Sequence, residues 1–503
     1  MRQAPGLPTP TCGRIFLQRR SCARRRSRAC LGTPGFPCST TFRSRITHYN
    51  SLFMSVPGSS RAVARGYVWY RDLSGYQWFV VAVAAVGWMF DTMAQQLFNL
   101  ARVPALRDLM GASAAPGAVA QQAGISTMVF MIGWGLGGVL FGILGDRLGR
   151  AKTMMLTILA YTIFTGMSLL STSVWDFNVY RFLCGLGVGG QFAVGVALVA
   201  EVVPERARPY ALGMVQAFSA IGNMVAATTV IVLGQAQQAG IVAHAWRWEF
   251  LAGAAPAPLA LVVFKKLREP DQWLKAKAEK KRMGSFAELL GNPRWRRNSI
   301  VGLLLAFSGV VGLWGIGFFS YDLFRPVLER SFRAQGLAGA ALAGKTTMWL
   351  GVTSLLQNAG SFFGVHAFTW LTQRTNRRTA FAISFLAALG MTAFTFWKLN
   401  TIGQMLWMVP AMGFTQLALF GGYAIYLPEL FPTRLRSTGT SFCYNVGRIV
   451  AAAGPLTLGL LTSSVFHGPD AMRYAGMTMC SVFLVGLFAL PFAPETKGQP
   501  LPE

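Results

Sequence analysis

Asp91 stands inside an apolar stretch, in the string G-W-M-F-D-T-M-A-Q-Q-L-F-N. An ionisable group at membrane depth costs several kcal/mol unless it is paired or wetted, so function is its default reading. Gln95 and Asn99 follow at i+4 and i+8, which predicts one polar stripe on a helix. A carboxyl group withdrawn from bulk water can exchange its charge for a proton. Asp91 is therefore a candidate proton carrier; the alternative is a structural carboxylate held by an arginine elsewhere. Arg448, three residues after Asn445, is the complementary cation. Its planar fork could bind a carboxylate substrate or neutralise a carboxylate of the protein. Gln216 and Asn223 share a face of one predicted helix, as Gln416 and Tyr423 do in another, and Gln357 and Asn358 are mid-span in a third. Each alone reads more readily as an interhelical hydrogen bond. Together, polar side chains at similar depth on several helices suggest a solute cavity.

A second set of charges lies where hydrocarbon cannot be. Gly142 to Lys152 reads G-I-L-G-D-R-L-G-R-A-K between two apolar runs. Asp146, Arg147, Arg150 and Lys152 must occupy a very short polar turn between two spans. Gly142 and Gly149 allow close helix approach and a tight reversal. Glu201-x-x-Pro204-x-x-x-Arg208 recurs later in the chain as Glu429-x-x-Pro432-x-x-x-Arg436. The string L-G-D-R-L-G-R from Leu144 recurs as L-T-Q-R-T-N-R from Leu371, displaced by almost the same distance along the sequence. Two matches at nearly one offset predict duplicated halves. The second copy has Gln373 for Asp146 and Asn376 for Gly149, which puts its gating role in doubt. Arg181 opens a span and reads as a conformational coupling residue.

The elements that must position these groups are membrane helices. Of the 503 residues 53% are hydrophobic and only 13% charged, with a mean hydropathy of +0.43, against roughly a quarter charged in soluble domains. Apolar runs of about twenty residues, the length that crosses ~30 Å of hydrocarbon, predict an all-α membrane protein with twelve spans: 76–98, 123–143, 153–172, 177–200, 209–233, 247–267, 299–324, 346–370, 379–397, 402–427, 438–462 and 473–492. They divide into six-helix bundles at 54–267 and 299–492, joined by the basic linker 268–298, with a tail at 493–503. The linker reads as an amphipathic helix lying on anionic lipid head groups. Lys and Arg concentrate in the loops on its side, which predicts both termini in the cytoplasm.

Residues 1–53 hold ten Arg and no acid. They read either as an organelle transit peptide or, the favoured reading, as an extension upstream of a natural start at Met54. The net charge of +28 is spread over that tail and separate loops rather than along one groove, so no nucleic-acid partner is expected. The seven cysteines show no C-x-x-C spacing, so neither a metal nor a disulfide framework is expected.

Two motifs mislead. Gly339-A-A-L-A-Gly344-Lys345-Thr346 satisfies the phosphate-loop pattern, but it precedes a membrane helix rather than joining a strand to a helix. Gly185-L-Gly187-V-G-Gly190 satisfies the dinucleotide fingerprint inside an apolar span, where small residues let helices touch. No cofactor is expected, and an enzyme reading has no residues to stand on.

The string G-x-L-G-D-R-x-G-R-x-K resembles the loop between the second and third helices of major facilitator superfamily transporters, and R-F-L-C-G-L-G-V-G-G from Arg181 resembles their fourth helix. Pro494-Glu495-Thr496-Lys497-Gly498 and W-R-W-E-F from Trp246 look like sugar porters and their relatives. G-W-x-x-D at Asp91 and P-E-L-F-P-T-R-L-R-S-T-G after the tenth span look like proton symporters for aromatic, sialic or other organic acids. Those often carry a second Asp three residues on, where this chain has Ala94. The resemblance implies alternating access, with Asp146 and the two Glu-x-x-Pro-x-x-x-Arg motifs latching the halves together. The expectation is a monomeric plasma-membrane symporter of protons and a small organic anion. A sugar or polyol carrier and an exporter of drug-like compounds are the alternatives.

Overall fold

The computed structural model describes residues 67–503 apart from 112, 239, 317–319, 452–456, 458–460 and 469. The chain divides into two units, Met1–Tyr67 and Val68–Glu503, and the second holds the helices described below. The expectations for residues 1–53 lie outside the described residues.

Regular structure among the described residues is helical throughout: α1 Gly75–Met110, α2 Pro116–Arg147, α3 Arg150–Met167, α4 Val174–Val202, α5 Arg208–Gln238, α6 Ala245–Gly253, α7 Ala257–Lys266, α8 Asp271–Ala278, α9 Phe286–Gly291, α10 Pro293–Val310, α11 Ser320–Ala334, α12 Gly339–Arg374, α13 Arg377–Lys398, α14 Ile402–Glu429, α15 Arg436–Ala451, α16 Ala471–Met479 and α17 Val482–Ala489. Starts follow local chemistry. Ser74 with Gln77, Ser173 with Asp176 and Thr401 with Gln404 form reciprocal capping boxes at α1, α4 and α14. The sixth span breaks at Pro256 into α6 and α7, and the twelfth breaks into α16 and α17. Nine spans among the described residues are long and apolar enough to cross a membrane by length and composition alone. The eighth, α12, carries Gln357 and Asn358 mid-helix, the sixth is broken, and of the eleventh α15, Arg436–Ala451, is described. Together they make the twelve-helix bundle of two pseudo-symmetric halves.

The duplication is visible in packing. α1 lies on α5, α2 on α4 and α3 on α4; in the second half α10 lies on α15, α12 on α14 and α13 on α14. The halves meet along two seams, α2 with α15 and α5 with α12. Gly138, Gly142 and Gly145 of α2 face Asn445, Ser441 and Ser437 of α15; a Cβ at any of the three would come within 2.3–2.6 Å of those side chains. On its other face α2 meets the glycine string of α4. A Cβ on Gly189 would sit 2.1 Å from the Trp134 carbonyl oxygen and 2.3 Å from the Gly138 nitrogen, both backbone atoms that cannot move aside. The fingerprint-like glycines are thus helix contacts. Gly189→Ala is expected to destabilise by about 1–3 kcal/mol or more. Gly195→Ala in the same helix, where the nearest atom is the Met154 Cε at 3.8 Å, is expected to be neutral or slightly stabilising. Thermal melting of the detergent-solubilised pair checks this, and equal losses would refute it.

Three expectations need correction. α1 runs to Met110 rather than residue 98, because Ala101, Ala105 and Leu106 keep a buried helical stripe going past the apolar run. The seventh span does not continue unbroken to 324. α10 gives way to a π-helical turn at Val311–Ile316, and α11 follows. The linker is not a single helix. It folds as α8 and α9 against the loop face, with Trp273 and Leu289 buried, and its lysines point outward.

Candidate functional site

The polar groups gather at two levels. At the centre, Asp91 and Arg448 are each only 1% exposed. Among the described residues neither Asp91 oxygen has a hydrogen-bond partner, and neither does the Gln95 amide nitrogen one turn along. The Arg448 guanidinium lies flat on the Trp134 ring, 3.6 Å from its centroid, with Tyr444 at 4.8 Å and Trp314 at 5.7 Å. Among the described residues none of its three nitrogens has a partner of good hydrogen-bond geometry, although the Tyr444 hydroxyl is near enough to interact electrostatically. Arg448 is also the cation that acts on Asp91. An aromatic path joins them. Trp88, three residues before Asp91, packs on Phe192 at 5.1 Å, and Phe192 stacks on Tyr444 at 4.0 Å. The site draws on α1, α2, α4 and α15 together with the π-turn that carries Trp314, a backbone irregularity often found at functional sites.

Other expected residues are placed elsewhere. Asn99 turns off the Asp91 stripe and donates to Gln96 (3.3 Å), because steps of four residues advance about 40° around the helix each time. Gln416 donates to Thr392 of α13 (3.0 Å) and the Tyr423 hydroxyl to the Leu305 carbonyl of α10 (2.7 Å). Both bind helices within one half. Asn445 donates to the Gly189 carbonyl across the first seam (3.2 Å), and Asn223 donates to Asn358 across the second (3.0 Å). Gln216 donates to Ser219 (3.3 Å), and Gln357 accepts from Tyr321 (3.1 Å). Arg181 is buried in the first half, donating to Phe164 O and Ser168 Oγ over the Phe250 ring.

The second level is a latch between the halves. Asp146, at the end of α2, caps α15 of the other half, accepting from Ser437 N (3.1 Å), Thr438 N (2.8 Å) and Thr438 Oγ1 (2.6 Å). A carboxylate at a helix N-terminus gains from both orphan N–H groups and the dipole. Arg150 pairs with Asp146 (3.1 Å) and forks onto Glu201 (2.9 and 3.1 Å), while Arg436 reaches Glu201 from the other half (2.7 Å). Asp146, Arg150 and Arg436 are fully buried. The repeat is half-kept in the second copy. Arg377 forks onto Glu429 (2.8 and 3.1 Å) as Arg150 does onto Glu201. Among the described residues Arg208, the counterpart of Arg436, makes no ion pair with Glu429, and the Gln373 amide nitrogen has no partner. Gly149 holds φ at +114°, whereas Asn376 takes an ordinary extended φ of −129° and caps α13 through its side chain. Among the described residues, the carboxylate cap that Asp146 places on the opposite half therefore has no counterpart at Gln373. Arg147, expected in the gate, is exposed and makes no ion pair among the described residues.

Sequence reasoning missed Trp134, Trp314 and Tyr444. Only Tyr444 left a signal, at i−4 from Arg448. It also missed Glu269, which accepts from the backbone nitrogens of Arg150 (2.6 Å), Ala151 and Lys152. Glu495 accepts likewise from Arg377 (3.0 Å) and Arg378. These two glutamates are separated by nearly the same offset as the other repeats, so a third match was available. Lys497 donates to the Gln373 carbonyl (2.8 Å) and to Thr375 O, and partial burial beside Arg377 holds it below the ordinary lysine range.

The sequence profile of the Major Facilitator Superfamily matches residues 73–455. The chain is 28% identical over 438 residues to a probable 4-methylmuconolactone transporter of Cupriavidus pinatubonensis, covering 86% of this chain and 94% of that one. It is 26% identical over 386 residues to a cis,cis-muconate transport protein of Acinetobacter baylyi, covering 75% and 87%. The fold is similar to that of the proton:xylose symporter XylE bound to 6-bromo-6-deoxy-D-glucose, with a TM-score of 0.67 and 16% identity over 85% of this chain and 98% of that one. With its duplicated twelve-helix bundle, buried central charges and interlocked halves, the chain belongs to the Major Facilitator Superfamily and is a multi-pass membrane transporter, not an enzyme.

Proposed function

We propose that this transporter takes up a small organic anion, a mono- or aromatic carboxylate, together with a proton, by alternating access. It acts as a monomer in the plasma membrane, with the latch face and both termini in the cytoplasm. The observation that carries the reading is the Arg448 guanidinium, buried with no hydrogen bond of good geometry among the described residues and walled by Trp134, Trp314 and Tyr444. Its flat face is covered by an indole and its N–H edge remains, which suits a planar carboxylate accepting two parallel hydrogen bonds while an attached π-system stacks nearby. The named substrates of the two relatives, a muconolactone and a muconate, support the same class.

Charge balance suggests the coupling. A buried cation needs one anion, supplied either by ionised Asp91 or by the substrate. Protonating Asp91 releases Arg448 to the carboxylate, so proton and carboxylate load together and leave together. One proton then moves with each monocarboxylate.

The test is uptake into proteoliposomes under an imposed pH gradient. External acidification should stimulate carboxylate uptake in the wild type. Asp91→Asn should lose that stimulation while still exchanging carboxylate for carboxylate, because Arg448 keeps its only remaining anion. Acid-stimulated uptake that survives Asp91→Asn would remove this carboxyl group from the coupling. Sugar exchange indifferent to both changes would move the assignment to a sugar carrier.

A further inference from the structure

Away from the central site, a cleft of about 980 Å³ opens between the start of α10, the start of α13 and the end of the chain. Arg294 and Arg297 of α10 and Arg378 of α13 line it, all three exposed. Among the described residues none of the three has a carboxylate within ion-pair distance. Two of them are tied down by consecutive carbonyls of one segment: Arg297 donates to Phe492 (3.3 Å) and Arg378 to Ala493 (2.6 Å). Each tie uses one N–H of a five-donor fork, so the groups are held in position with most of their donors unspent. The nearby acids are largely engaged elsewhere. Glu429 is taken by Arg377 and Thr496, and Glu495 by the backbone nitrogens of Arg377 and Arg378, which leaves Glu503 at the rim.

Local helix stability does not explain the arginines. Cations in the first turn sit at the unfavourable end of a helix dipole. The N-termini are already capped, α10 by Asn292 and α13 by Asn376 and Glu495. Recognition would therefore come from the guanidinium groups. Planar forks on two sides of a cleft match the several acceptor oxygens of a phosphate.

The mouth of the cleft adds a second requirement. Ile300 and Leu304 lie three and seven residues beyond Arg297, on its face of α10, and both are exposed. α17 packs beside α10 and is followed by the short turn Leu490–Phe492; Phe488 and Phe492 are 75% and 61% exposed. A cationic cleft thus opens directly onto an apolar surface at the end of a membrane span, so its ligand should be an amphiphile.

We propose that this cleft binds the phosphate of an anionic phospholipid, with the acyl chains lying along Ile300, Leu304, Phe488 and Phe492. The bound lipid joins α10, α13 and the end of the chain. That last segment also meets the latch, because Arg436 donates to the Pro502 carbonyl (3.3 Å).

The full-length protein in detergent, supplied with defined lipids, tests this. Phosphatidylglycerol should raise the melting temperature and stay bound in native mass spectrometry, whereas phosphatidylcholine should do neither. The triple variant Arg294→Gln, Arg297→Gln, Arg378→Gln should lose the shift and retain at least tenfold less phosphatidylglycerol. Lys275→Gln, Lys281→Gln, Arg282→Gln, which removes three exposed cations from the linker, should behave as wild type. Should the first triple variant fold poorly, Ile300→Ser with Leu304→Ser leaves the arginines and should still weaken retention. Equal loss in the linker control would overturn the proposal in favour of general surface charge. A full thermal shift from inorganic phosphate alone would overturn the lipid as ligand, and an undiminished phosphatidylglycerol effect in the first triple variant would overturn the site.

Discussion

Replacing Arg448 with glutamine is expected to lower the initial rate of carboxylate uptake by at least a hundredfold, with little recovery on raising the substrate concentration. Losing a buried, two-point, charge-assisted contact costs about 3–5 kcal/mol, or two to three powers of ten. Lysine restores the charge but neither the fork nor the flat stack on Trp134, so Arg448→Lys should recover less than about a tenth of the rate. Stability should move the other way. Arg448 is a buried cation with no hydrogen bond of good geometry among the described residues, so the glutamine variant should melt at the same temperature or higher. Low uptake in a well-folded protein is the signature. If Arg448→Gln keeps uptake within threefold of wild type, the carboxylate binds elsewhere and the proposed function loses its carrier observation.

The second large effect belongs to Glu201. Its carboxylate takes Arg150 from its own half and Arg436 from the other. Glu201→Gln leaves both guanidiniums short of a charge; the Arg150 part is lost in either state, whereas the Arg436 pair is made only across the joined halves, so breaking that buried pair costs the latched state about 3–5 kcal/mol. That difference between states is enough to shift their populations more than about a hundredfold. The reporter is Ser441, fully buried on the latch seam against α2. In a background lacking the seven native cysteines, Ser441→Cys should react with a water-soluble maleimide at least tenfold faster when Glu201→Gln is present. Glu429→Gln makes the matched comparison. Glu429 accepts from Arg377 and Thr496 within the second half, so its loss should lower melting temperature while leaving Ser441→Cys labelling unchanged. Equal acceleration by both variants would mean that the latch is symmetric after all.

That asymmetry shows how far the sequence could be read. The degraded second copy, Gln373 for Asp146 and Asn376 for Gly149, was visible and already placed its gating role in doubt. The structure supplies the consequence: Asp146 caps the opposite half, whereas the Gln373 amide nitrogen has no partner among the described residues. The polar stripe was only partly legible. Asp91 and Gln95 share a face, but Asn99, about 80° further round, donates to Gln96 of its own helix instead. Gln416 and Tyr423 looked like cavity residues because hydropathy reports depth in the bilayer and not direction within the bundle. Their bonds to Thr392 and Leu305 point between helices of one half.

By itself, the sequence determined what depends on neighbours along the chain and on the solvent at each depth. The spans follow from hydrocarbon thickness, the duplication from a repeated offset, and the buried charges at Asp91 and Arg448 from the cost of leaving them in lipid. Tertiary structure alone decided which side chains meet across long stretches of sequence. Trp134 of α2 and Trp314 of the π-turn both reach Arg448 of α15 from elements far earlier in the chain. An aromatic ring in an apolar span carries no periodic or charge signal to mark it as a wall of a site. Only the helix packing turns it toward the cation.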